Sequence, residues 1–103
     1  MALTKIDDRG LKTPIDLIDN EKIRFGTGND LEIYHDPAYG HSFIKESGSG
    51  ALIVGASTFE VYNAAISEKL ISATEDGAVE LYHNGVKKVE TTSYGLRLTD
   101  NYV

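Results

Sequence analysis

The side chains able to do acid–base or metal chemistry are few and scattered. The chain has three histidines, His35, His41 and His83. No two of them stand at H-x-H or H-x-x-x-H, the spacings that aim two imidazoles at one ion from a single strand or helix. His35 and His83 are the fifth residues of two nearly identical hexamers, LEIYHD (31–36) and VELYHN (79–84), in register with their apolar residues. In that position an imidazole seals the rim of a core and hydrogen-bonds a turn. Around a three-fold axis, the same inward histidine would meet its two symmetry mates and could hold an ion. There is no cysteine to act as nucleophile, thiolate ligand or disulfide partner, and no G-x-S-x-G elbow. Glu32 and Glu80 fall on the polar side of their hexamers, where carboxylates are usually only solvated. No catalytic set emerges, and the expectation is a protein that is not an enzyme.

One stretch imitates a metal site. GTGND (26–30), followed by LEI, is similar to the calcium-binding nonapeptide of parallel β-rolls, in which Asp30 would supply a hard oxygen ligand. A β-roll needs tandem copies, and the chain carries one, so the stretch reads as a Gly-rich hairpin turn. Asp30, His35 and His83 are therefore weak metal candidates, and no cofactor is expected. GTGND is not a phosphate loop either, because no G-x-G-x-x-G is present and no helix follows. The six tyrosines are more suggestive. Tyr34, Tyr62 and Tyr82 fall on the polar faces of strands as candidate surface contacts. Such rings serve protein interfaces and sugar stacking alike, with packing between subunits the better reading.

The elements that carry these residues read as short strands. From Lys22 onward, period-two runs alternate with Gly, Asn, Asp, Ser and Pro. The runs are KIRFG (22–26), LEIYHD (31–36), SFIKE (42–46), ALIVG (51–55), TFEVYN (58–63), KLISATE (69–75), AVELYHN (78–84), VKKVETT (86–92) and GLRLTD (95–100). NAAISEKLISA (63–73) has helical spacing at Ile66, Leu70 and Ala73, but turn residues flank it and strands surround it. Residues 1–21 lack sustained periodicity and read as an N-terminal arm or linker, with a short strand or a single turn at residues 15–18. Residues 22–103 read as the β-repeat domain. Alternation gives each strand a dry and a wet face. Leu31, Ile33, Phe59, Val61, Val79, Leu81, Leu96 and Leu98 share the dry one.

The repeat extends beyond the hexamers. Residues 31–54 align with 79–99, the first turn being three residues shorter in the second copy and Gly50 matching Gly95. Each unit reads strand, turn, strand, Gly-containing turn, strand. Asn84-Gly85 is a two-residue hairpin turn, Asp76-Gly77 another turn, and Asp36-Pro37 with Gly40 a longer one. Two stacked units close a core with difficulty, which points to self-association. So does the length of 103 residues, small for an unstapled chain. The net charge of -6, from 16 acidic and 10 basic residues, gives no footprint for nucleic acid and disfavours anionic membranes. No apolar run approaches membrane-spanning length, and the first twenty residues lack the apolar stretch of a signal peptide.

LKTPIDLIDNEKIRFGTGNDLEIYHD, SFIKESGSGALIV and ISATEDGAVELYHNGVKKVETTSYGL together resemble a repeat of tail-fibre and other virion structural proteins of marine bacteriophages, cyanophages among them. The likeness runs from about Arg9 to Leu98. It departs at DPAYGHS (36–42), where the repeat usually reads D-G-x-N-S. The resemblance implies an all-β, elongated, short-strand fibre, an intertwined trimeric β-helix or β-prism in which three chains wrap one axis. It implies no catalytic residue. The eight dry-face residues would then form a trimer core.

The resulting expectation is a non-enzymatic viral structural protein, a homotrimeric fibre or appendage module. It would be virion-borne or extracellular, reached by virion assembly and lysis. Its partners would be copies of itself, other virion proteins or a host surface, without nucleic acid or membrane insertion. The alternatives are a capsid decoration protein or extracellular filament subunit, with residues 1–21 as docking arm, and a carbohydrate-binding module using the tyrosines.

Overall fold

The computed structural model describes residues 12–99. They are all-β, with no helix, in two antiparallel sheets. The first contains β1 (Ile23–Phe25), β2 (Leu31–Asp36) and β3 (His41–Glu46), in the order β1-β2-β3. The second contains β4 (Thr58–Tyr62), β5 (Lys69–Thr74), β6 (Val79–His83), β7 (Val86–Thr92) and β8 (Gly95–Leu98), an unbroken meander in chain order. The chain divides into two compact units, Met1–Ile53 and Val54–Val103, each holding one sheet.

Local chemistry explains the hairpins. Asn84 and Gly85 both have positive φ, 51° and 78°, as a two-residue turn with the twist of its strands requires. Between β2 and β3, the Asp36 carboxylate accepts the Ala38 N–H at 2.9 Å and Gly40 takes a φ of 71°. Between β4 and β5, Asn63 Oδ1 accepts the N–H groups of Ser67 and Glu68, at 2.9 and 3.1 Å. Turn chemistry followed by a strand thus replaces the helical alternative at 63–73. Residues 12–21 form no strand. They are tied to β2 where the Asn20 N–H donates to the His35 carbonyl at 2.8 Å.

Residues 51–55, expected as a strand, do not form one. Ser49–Ala56 make no hydrogen bond among the described residues, and Leu52, Ile53 and Val54 are exposed. The apolar run has strand propensity but finds no neighbouring edge in its own chain.

Burial departs from the simple dry-and-wet scheme. Among the described residues no hydrophobic side chain is buried. The two buried residues are polar, Ser72 and Glu90, at 3% and 9% exposure. Each sheet is one layer. The polar face is partly covered by its own long side chains, while the apolar face lies open. No helix of the described residues is long and apolar enough to cross a membrane.

Candidate self-assembly surface

The apolar face is built by strand register. In the second sheet, Phe59 lies opposite Ala73, Val61 opposite Ile71, Ile71 opposite Leu81, Leu81 opposite Val89 and Val89 opposite Leu98. A continuous apolar stripe therefore crosses all five strands. In the first sheet the stripe is shorter, with Ile23 opposite Ile33 and Ile33 opposite Ile44. Of the eight residues expected in a trimer core, Leu31 and Ile33 lie on the first sheet and the other six on the second. Leu31, Val61 and Leu98 are half-buried, and Ile33, Phe59, Val79, Leu81 and Leu96 are exposed. Leu17 and Ile18 come beside Ile23, Ile33 and Ile44 around an open cavity of about 400 Å³.

The opposite face is a lattice of ion pairs and phenols. On the second sheet it starts at β4, where Glu60 pairs with Lys69 at 3.0 Å and accepts from the Tyr62 hydroxyl at 3.4 Å. On β6, Glu80 accepts from the Tyr82 hydroxyl at 2.9 Å and pairs with Lys87 of β7 at 3.3 Å. Lys87 also reaches Glu90 at 3.0 Å, and the Arg97 guanidinium of β8 closes on Glu90 through Nε, at 2.7 Å, and Nη2. Glu80 and Glu90 stand directly opposite each other, an arrangement that repels unless a cation intervenes. Lys87 supplies that cation. Lys87 beside it, with Arg97, holds the Glu90 carboxyl below its ordinary range, and Lys69 does the same for Glu60. Reciprocally, Lys87 and Lys69 are raised, and the hydrogen bond to Glu80 raises the Tyr82 phenol.

Two bulges put the lysines there. Val61 faces Ile71 but Tyr62 faces Lys69, so Leu70 is the extra residue. Leu81 faces Val89 but Tyr82 faces Lys87, so Lys88 is the extra residue. Strict alternation would send Lys69 and Lys87 to the apolar side. A bulge shifts the phase by one residue and returns each to the charged face. Sequence reasoning missed both. The available signal was the broken apolar period, Leu70-Ile71 adjacent and Val86 and Val89 three apart.

The same reasoning missed a third copy of the strand motif. Phe59-Glu60-Val61-Tyr62 repeats the apolar-Glu-apolar-Tyr pattern of Leu31–Tyr34 and Val79–Tyr82. In each copy a lysine on the adjacent antiparallel segment reaches the glutamate. Lys22 lies 3.4 Å from Glu32 and 4.4 Å from the Tyr34 ring centroid, and Arg24 adds a second contact to Glu32 at 2.9 Å. Comparing whole hexamers hides this copy, because Asn63 stands where the other two have histidine.

Tyr34, Tyr62 and Tyr82 are thus half-buried in this lattice rather than projecting from it. On the first sheet Tyr34 stacks on Phe43 at 5.1 Å, and Phe43, His41 and Tyr39 continue as a row with centroids 6.3 and 6.2 Å apart. Tyr39 and Tyr94 are strongly exposed, and Tyr102 lies outside the described residues.

The metal candidates are not brought together. His35 Nδ1 shares a hydrogen bond with Ser42 Oγ at 2.9 Å, on the apolar side of β2. His83 is exposed at the end of β6, opposite Val86. Asp30 sits among glycines, where a Cβ on Gly28 or Gly48 would come within 3.1 Å of its carboxyl group. Among the described residues no three His, Cys, Asp or Glu side chains group as a metal site. No protein-family model, no curated protein and no solved structure matches the chain.

Proposed function

We propose that this chain is a structural module that works by assembling with copies of itself, as a homotrimeric fibre or appendage of a virion. One observation carries the reading: every strand contributes to an apolar face, yet no hydrophobic residue among those described is buried. Hydrophobic burial is the main favourable term in folding, and single-layer sheets obtain little of it alone. The missing layer must match a stripe that repeats along the chain, and a second copy of the chain carries the same stripe. Three copies about one axis turn these faces inward and leave the charged lattices outward. The likeness to marine phage fibre repeats supports the same arrangement. The intertwined β-helix or β-prism form, the virion location and the contact with a host surface belong to this proposal. Negative-stain microscopy with mass photometry of the purified chain tests it. Rods of trimeric mass support it, and a globular monomer at micromolar concentration overturns it.

A carbohydrate-binding module is the second reading, favoured by the row Tyr39–His41–Phe43–Tyr34 on one face of the first sheet. Aromatic rows offer flat apolar surface to sugar rings. Glycan-array binding that disappears in a Tyr39→Ala, Phe43→Ala double variant supports this reading, and an array without hits removes it.

A further inference from the structure

The two repeat units differ in one element. In the second unit the strand after the Gly-containing turn is β8, paired with β7 through Thr92↔Gly95, Thr91↔Leu96, Glu90↔Arg97 and Val89↔Leu98. The repeat maps Gly95 to Gly50, Leu96 to Ala51, Arg97 to Leu52 and Leu98 to Ile53. It maps β7 to β3. Residues 51–54 should therefore pair with β3, and they do not.

The turns show how the units diverge. Gly95 has a φ of 135°, and Thr92 Oγ1 both accepts the Tyr94 N–H and donates to the Gly95 carbonyl, each at 3.1 Å, folding β8 back onto β7. Gly50 lies outside the positive-φ region. Ser47, the counterpart of Thr92, donates its N–H and hydroxyl to the Asp30 carbonyl, at 2.7 and 3.3 Å, and Gly48 donates to Glu46 at 2.9 Å. The hydroxyl matching the one that closes the second turn is thus engaged with the segment before β2 instead. A strand-prone segment and its six-residue acceptor edge, His41–Glu46, are left free in the same chain. An extended run of Leu, Ile and Val with unpaired backbone groups is a template for pairing with another chain.

We propose that residues 51–54 are a donated strand, which pairs with the free edge of β3 in a second copy of this chain. This rests on the self-association reading and adds its joint. The repeat also sets the register. By analogy with Val89↔Leu98, Ile53 of one copy faces Ile44 of the next, and Ala51 faces Glu46. Main-chain hydrogen bonds supply the attachment, as in other strand-addition complexes. The exchange also extends the apolar stripe Ile23–Ile33–Ile44 by Ile53 of the neighbouring copy.

The chain has no cysteine, so introduced thiols report alone. A mixture of Ile44→Cys chains and Ile53→Cys chains, oxidised under dilute conditions, is expected to give a disulfide-linked heterodimer. Arg97→Cys in place of Ile44→Cys should give none. Wild-type mass measured in parallel separates the two claims. An oligomeric wild type without the Ile44–Ile53 crosslink overturns the donated strand and leaves self-association standing. A monomeric wild type overturns both. A double Ile44→Cys, Ile53→Cys chain that closes only within itself also overturns the exchange. In this register Val54 copies Thr99, whose N–H donates to the Lys88 carbonyl at 2.9 Å, so Val54→Pro removes a donor aimed at β3 of the neighbouring copy from a segment that makes no bond in its own chain. It is expected to dissociate the oligomer while the far-ultraviolet β signal persists, and an undiminished oligomer contradicts the proposal.

Discussion

Glu90 is the residue on which the charged face of the second sheet converges, with Lys87 and Arg97 closing on a carboxylate that is nearly buried. Glu90→Gln should lower Tm at neutral pH, because both cations lose their counter-charge, and thermal melts of the two proteins check this. The pH dependence follows from the directions of the shifts. Glu60 and Glu90 lie below their ordinary 4.5, so the folded state binds their protons less tightly than the unfolded chain. The stability they contribute is present above that value and is lost as pH falls through the folded values. Lys69 and Lys87 lie above 10.5 and Tyr82 above 10.0, so their contribution is present below those values and is lost as pH rises through the folded ones. Tm should be flat between these limits and fall at both ends, and Glu90→Gln should blunt the acid limb. Backbone strain gives a second prediction. Ile66 holds a φ of 56°, a region that β-branched residues avoid. Ile66→Asn should stabilise the chain by about 1 kcal/mol, since asparagine tolerates that conformation. Denaturant melts measure it. The roles of Glu32, Glu60 and Glu80 were only half legible in the sequence. Their face could be read from alternation, but their lysine partners depend on cross-strand register.

At the scale of elements, alternation and turn chemistry located the strands well. LEIYHD and VKKVETT match β2 and β7 residue for residue, and Asn84-Gly85 takes the expected turn. These features are local, set by side-chain period and by residues that tolerate positive φ. The bulges at Leu70 and Lys88 are not local, because an extra residue shows only against a partner strand. ALIVG failed as an intrachain strand for the same reason, since propensity does not name a partner. The apolar stripe yields a test at this scale. Leu81 sits mid-stripe on the central strand β6 and is 44% exposed. At an ordinary exposed position Leu81→Lys would change stability by only about 0.5 kcal/mol or less. Buried between copies, the ammonium would be desolvated without a partner. Leu81→Lys should therefore abolish the proposed oligomer, as read by sedimentation velocity, whereas Leu70→Lys at the bulge should be milder.

For the whole molecule, two single-layer sheets, each with its own uncovered apolar face, make one argument. A layer of strands is stable when a second layer covers its dry side, and neither unit supplies one within itself among the described residues. If copies of the chain provide the cover, stability is coupled to association and Tm must rise with protein concentration. The sequence made this need visible through small size and a repeated dry face. It could not reveal that the buried residues among those described would be the polar Ser72 and Glu90, because Glu90 is covered by charges that the bulge at Lys88 gathers on the other side. The most direct measurement is sedimentation equilibrium of the wild-type chain across the micromolar range, with Tm recorded at each concentration. The account predicts a trimer mass and a Tm that climbs with concentration. A monomer with a concentration-independent, cooperative melt would contradict it.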